Sequence, residues 1–158
     1  MATFLPLLAA LIGQEVTARQ RSGNADAELF KKFLSTLPSN GCFLDFLKEQ
    51  DIGAPFRRVV LNEMYQFIEN WGNAEHEFKK KNLEKKRKQL YDLMVEFSGK
   101  LSLSIFPDGD EFYSMGINDY EERPNKMQKR DNLNKMATTL YNYHQDFVRS
   151  GRKCFVQI

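Results

Sequence analysis

An all-α fold, a single domain built as a bundle of five or six helices, is predicted by three observations. Apolar residues recur at three- and four-residue steps through most of the chain. Turn chemistry punctuates those stretches at 38–41, 51–55, 72–73 and 107–109. The two most extended stripes, over 74–105 and 129–152, are those of antiparallel neighbours that bury their apolar faces on each other, with an acidic loop between them. A length of 158 residues with 42% hydrophobic and 28% charged residues suits one domain with a core of its own and excludes wholesale disorder.

The first element is an amphipathic helix over residues 1–22, treated as distinct from a bundle over 23–158. Leu5, Leu8, Ile12 and Val16 repeat at helical spacing. The run FLPLLAALI followed by Val16-Thr17-Ala18 has the outline of a secretory leader. No Lys or Arg precedes it, however, and Gln14 and Glu15 fall before the would-be cut. A stripe this apolar packs on its own domain, on a protein partner, or on a membrane surface. Ser22-Gly23 reads as a break and Asn24 as the cap of a second helix carrying Leu29, Phe30, Phe33, Leu34 and Leu37. Pro38 ends that helix. Phe43, Leu44, Phe46 and Leu47 lie on a short third one, which stops near Asp51-Ile52-Gly53. From Pro55 the stripe Val59, Val60, Met64, Phe67, Ile68, Trp71 runs to Gly72.

Asn73 then caps a long helix expected over 74–105, striped by Leu83, Leu90, Met94, Phe97, Leu101 and Ile105 and stopped by Pro107-Asp108-Gly109. Residues 107–128 read as a long acidic loop with Asp108, Asp110, Glu111, Asp119, Glu121 and Glu122. Leu133, Met136, Ala137, Leu140, His144, Phe147 and Val148 stripe the last helix, and Arg149, Arg152 and Lys153 suit its C-terminal dipole.

Most site chemistries fail on spacing. Neither histidine, His76 or His144, has a Glu three residues before it; the chain holds no His-Glu-x-x-His and no Cys-x-x-Cys. No glycine-rich dinucleotide loop, Walker A loop or Gly-x-Ser-x-Gly elbow occurs. Asp108-x-Asp110 starts like a calcium loop, but Phe112 and Tyr113 stand where an oxygen ligand and a Gly are needed. Neither a metal nor a cofactor is predicted. Cys42 and Cys154 are too sparse for a disulfide framework and read as reduced thiols, with one long-range disulfide as the alternative; the reduced reading places the chain in the cytoplasm, with membrane association through residues 1–20 kept open.

Three functional readings follow. The first is a non-enzymatic interaction module, an adaptor, regulator or self-associating protein, that meets a protein partner or a second copy through Phe4, Leu5, Leu8 and Ile12. The second is nucleic-acid binding through the basic run 79–88, where Lys81, Lys85 and Lys88 share a face and would contact phosphates. A net charge of +2 and the lack of interleaved aromatics leave a solvated helix face as its plain counterpart, and the acidic loop lying across that face as a third option. The third functional reading is a hydrolase using His144, or an acid/base cluster at His76. The plain counterparts are a core histidine with one partner and a solvated charge in a helical first turn.

The segments LPSNGCFLDFLKEQDIGAPF (37–56), WGNAEHEFKKKNLEKKRKQLYDLMVEF (71–97), IFPDG (105–109) and NLNKMATTLYNYHQDFVRSGRK (132–153) resemble those of a group of small bacterial all-helical proteins of unassigned function. The resemblance implies a bacterial, helical, cytoplasm-facing protein, and no activity or site residue.

Overall fold

The computed structural model describes residues 4–49, 51–117 and 122–155. Five α-helices carry the fold: α1 (Phe4–Thr36), α2 (Cys42–Glu49), α3 (Asn62–Asn70), α4 (Lys81–Ser102) and α5 (Arg123–Cys154). Short 3-10 turns span Arg58–Leu61 and Ala74–His76. The prediction of a helical bundle holds. The long pair is α4 and α5, and it is antiparallel. Lys86 near the start of α4 reaches Asp146 (2.9 Å) and Ser150 (2.8 Å) near the end of α5. At the opposite end Leu103 faces Leu133 and Met136 across a shallow trough.

One core runs through the bundle, with Phe30, Phe33, Leu37, Phe43, Leu44, Phe67, Trp71, Leu83, Leu90, Phe97, Leu140 and Phe147 all withdrawn from solvent. Its centre is aromatic. Phe33 of α1 meets Phe67 and Trp71 at the end of α3 and Phe147 of α5, with ring centroids 5.9, 5.5 and 4.5 Å away. The edge of Phe30 lies on Gly151, so that α1 and the last turns of α5 nearly touch. A methyl group at residue 151 would collide with that ring. Gly151→Ala should therefore cost about 1–3 kcal/mol despite the better helix propensity of Ala. Chemical denaturation checks the sign, and a more stable variant would show that the ring yields.

Three expectations are corrected. First, α1 does not break at Ser22-Gly23; it is continuous through Asn24. A mid-helix Gly costs only about 1 kcal/mol, and Asp26 offsets it. Its buried carboxylate accepts the backbone N–H groups of Lys79 (2.7 Å) and Lys80 (2.9 Å). The capping side chain is thus Asp26, and the element it serves is the entry to α4, across the fold.

Second, the helix expected over 74–105 is shorter. Phe78 turns inward against Phe147 (5.6 Å), which drags residues 77–80 out of helical conformation. Asp26 and Glu84 take the freed N–H groups, with Phe78 N–H donating to Glu84 at 2.8 Å.

Third, the stretch after Pro55 begins not as a helix but as a strand, β1 (Phe56–Arg57), and the front of the acidic loop is a hairpin of β2 (Phe106–Asp108) and β3 (Phe112–Ser114). The three form a small antiparallel sheet in the order β1-β3-β2, with Phe56 opposite Tyr113 and Asp108 opposite Phe112. Gly109 turns the hairpin at φ +71°, where a side chain would be strained. This sheet sits beside the bundle and leaves it the dominant architecture.

The option of an acidic loop lying across the basic face of α4 fails for the described residues. Arg58 donates to the carbonyls of Gly109 (2.7 Å) and Phe112 (3.1 Å) and lies over the Tyr113 ring, and Arg57 approaches Glu111 at 3.8 Å. Asp119, Tyr120 and Glu121 lie outside the described residues, as do 156–158 at the C-terminus.

At the other end of the loop α5 starts earlier than expected, at Arg123. Pro124 fits its first turn, where no N–H is required.

Candidate functional site

The first half of α1 carries the least explained surface of the molecule. From residue 7 to residue 22 every side chain is exposed. Leu7, Leu8, Leu11, Ile12 and Val16 are 65, 62, 56, 56 and 49% exposed. At 1.5 Å per residue, 4–22 forms an arm about 28 Å long. Its foot, at Ala18, Arg19, Ser22 and Gly23, lies beside Lys79 and Lys80, where α4 begins. The stripe that buries Leu37, Phe33 and Phe30 continues backward in steps of three and four through Asp26 to Ile12 and Leu8. The arm thus shows outward the line of residues that the second half of the same helix turns inward.

Of the predicted interaction residues, Leu8 and Ile12 are on this exposed line. The side chains of Phe4 and Leu5 lie outside the described residues. Leu7 and Leu11, equally exposed, lie together at i and i+4 on the neighbouring face, which a reading confined to one stripe at helical spacing leaves out.

Lys81, Lys85 and Lys88 are exposed together on the face of α4 opposite Leu83, Leu90 and Met94. The basic run is nonetheless partly spent inside the fold. Lys86 pairs with Asp146 (2.9 Å). Arg87 is buried, donating to the carbonyl of Trp71 (2.7 Å) and, through two nitrogens, to Glu84.

The histidines are internal. His144 is 1% exposed, with Nε2 2.7 Å from the carbonyl oxygen of Leu37 and Nδ1 3.0 Å from the amide nitrogen of Gln145. A carbonyl only accepts, so Nε2 bears the proton and Nδ1 accepts from Gln145. Both ring nitrogens are committed, and the imidazole ties α5 to the C-terminal end of α1 beside Phe33. Burial pushes it down to about 4, against the raising pull of the Leu37 carbonyl.

His76 is not the solvated first-turn group expected. It is buried on Trp71 (4.7 Å between rings), with Nδ1 2.7 Å from Asn73 Oδ1, and burial pushes its pKa down, helped by the positive charge of Lys32. The two histidines do not meet in any shared cleft among the described residues, and each serves its own joint.

A pH dependence follows from His144. The unfolded imidazole titrates near 6.5 and the folded one near 4, so between those values only the unfolded chain takes up the proton. The stabilisation is complete above about pH 6.5 and is lost as the pH falls toward 4, amounting to about 3 kcal/mol in all. His144→Gln keeps a donor for Leu37 but does not titrate. Denaturant unfolding should therefore show wild type losing about 3 kcal/mol more than this variant between pH 7 and pH 4. Parallel losses would remove His144 as the source.

Among the described residues no group of three His, Cys, Asp or Glu side chains gathers to hold a metal ion. The trough between the end of α4 and the first half of α5, about 480 Å³, sets Lys100, Lys129 and Lys135 around Leu103, Leu133 and Met136. It holds no carboxylate, imidazole or thiol. Cys42 and Cys154 are unbridged. No described helix is long and apolar enough to cross a membrane.

No family model matches the chain, and no curated protein or solved structure matches it either.

Proposed function

We propose that this protein is a non-enzymatic attachment module: a helical body that holds out an apolar helical arm and docks through it. The observation that carries this reading is the set of Leu7, Leu8, Leu11, Ile12 and Val16, each about half exposed or more on one continuous helix whose second half is anchored in the core. Large apolar side chains gathered on one exposed element mark an interaction surface. Fully burying a leucine is worth about 1.5–3 kcal/mol, so a few of them supply useful affinity.

The test compares the full chain with the variant Leu7→Ser/Leu8→Ser/Leu11→Ser/Ile12→Ser. The arm makes few contacts with the body, so the unfolding midpoint of the body should be unchanged. Attachment, read as mass by light scattering, retention on a phenyl surface and co-sedimentation with vesicles, should fall by roughly tenfold per side chain removed. Two proteins indistinguishable in all three assays would end this proposal.

A further inference from the structure

We infer that the surface on which the arm docks is an anionic lipid bilayer. The tip enters one leaflet, and the basic end of the bundle faces its anionic headgroups. This rests on the attachment reading above and names its partner.

The first support is the distribution of apolar groups at the tip. Residues 7–12 read Leu-Leu-Ala-Ala-Leu-Ile, so no side chain on any side of that turn and a half is polar. A helical protein partner covers one stripe and leaves the remainder wet, whereas acyl chains surround the whole circumference.

The second is length. The helix from residue 4 to residue 12 rises about 14 Å, and half of a hydrocarbon core is about 15 Å. The apolar run 4–12 is therefore about as long as a single leaflet is deep, and no helix among the described residues is long and apolar enough to span.

The third is charge. Arg19 and Arg21 follow the tip on α1. The antiparallel pairing of α4 and α5 brings Lys79, Lys80 and Lys81 to the same end as Arg149, Arg152 and Lys153. Lys80 lies 5.4 Å from the ring of Phe155, and Phe155 in turn packs on Phe30. The acids at this end are fewer: Glu15, Glu75 and Glu77 are exposed, Glu28 pairs with Lys31, the buried Asp26 accepts the Lys79 and Lys80 N–H groups, Glu84 is engaged by Arg87 and Asp146 by Lys86. Eight of the chain's 23 basic residues thus stand at the foot of its apolar arm. A basic collar below an apolar helix is complementary to a bilayer with anionic headgroups.

A second copy of the chain fits less well. Continuing the line of Leu8, Ile12 and Val16 leads to Arg19 and Ser22, which a self-paired stripe would have to bury.

The experiment is vesicle flotation of the full chain on phosphatidylcholine alone and on phosphatidylcholine mixed with phosphatidylglycerol, at low and high salt. Three variants are run beside wild type: Leu8→Ser/Leu11→Ser/Ile12→Ser, Arg152→Gln/Lys153→Gln and Lys81→Gln/Lys85→Gln/Lys88→Gln. Circular dichroism verifies that each variant is folded. The expected result is binding to the mixed vesicles, weakened by salt and abolished by the tip variant. Arg152→Gln/Lys153→Gln should weaken it by about fivefold per charge.

Equal binding to both vesicle types overturns the inference, as does undiminished binding by the tip variant. So does arm-dependent oligomerisation without flotation, which would leave the attachment module standing with a protein as its partner. RNA or DNA binding that displaces the vesicles and is lost in the Lys81/Lys85/Lys88 variant also overturns it.

Discussion

Phe33→Ala is expected to lower the unfolding free energy by about 3–5 kcal/mol, a large part of the total for a domain of this size. Phe33 has no exposed surface, and its ring touches elements from two other parts of the chain: Phe67 and Trp71 at the end of α3, and Phe147 and the imidazole of His144 (5.5 Å) on α5. Truncation leaves a cavity that α1 cannot collapse to fill, because Phe30 is already stopped by Gly151 one turn away. Phe33→Leu should restore about half of the loss by filling most of the volume without the ring contacts. Leu7→Ala on the arm should change stability by less than about 0.5 kcal/mol. A second readout separates packing loss from general unfolding. Opening the site beside His144 lets water reach the imidazole, so the acid dependence ascribed to His144 should shrink in Phe33→Ala. A midpoint within experimental error of wild type would mean that the aromatic centre is not what joins α1 to the bundle.

Side chains that report locally made the helical elements readable from sequence. The steps Leu83-Leu90-Met94-Phe97-Leu101 and Leu133-Ala137-Leu140-His144-Phe147 are fixed by helical geometry alone, and all ten residues are buried where that geometry places them. What escaped were the decisions made at a distance. Asn24 looked like a cap because caps are usually local, whereas Asp26 serves N–H groups more than fifty residues away. The break at 77–80 depends on Phe78 finding Phe147. The strands are two or three residues long, too short for a period to register, and include Pro107 and Asp108, which read as turn. His76 looked solvated because Glu75 and Glu77 flank it; a 3-10 turn swings its ring onto Trp71 instead. The candidate surface was partly legible: composition marks the apolar run, but whether such a stripe is covered depends on whether another element reaches it, and none of the described ones does beyond the foot at Lys79 and Lys80.

Arg87→Met should cost about 3–5 kcal/mol, although Arg87 stands in the middle of a run that reads as a solvated basic face. Its guanidinium closes the corner between α3 and α4. One nitrogen donates to the Trp71 carbonyl, which the chain leaves unpaired as it turns out of α3, and two others hold Glu84, which in turn accepts the Phe78 N–H. Met fills the volume but leaves a buried carbonyl without its donor and a carboxylate, three quarters covered, without its counter-charge. The second of these is the larger. Adding Glu84→Gln should therefore recover about 1–2 kcal/mol, since the amide oxygen still accepts from Phe78 and no charge remains stranded. Arg87→Lys should fall between, because one ammonium cannot reach both partners with the guanidinium's fork. The order Arg87→Met, then the double variant, then Arg87→Lys, then wild type in denaturant midpoint would establish that this arginine acts inward. A loss below about 1 kcal/mol in Arg87→Met would show the corner to be held by Trp71 and Phe78 packing alone. The same ordering bears on the surface: with Arg87 and Lys86 both engaged within the fold, the charge that α4 offers a partner is Lys79, Lys80 and Lys81 at its entry and Lys85 and Lys88 along its outer face.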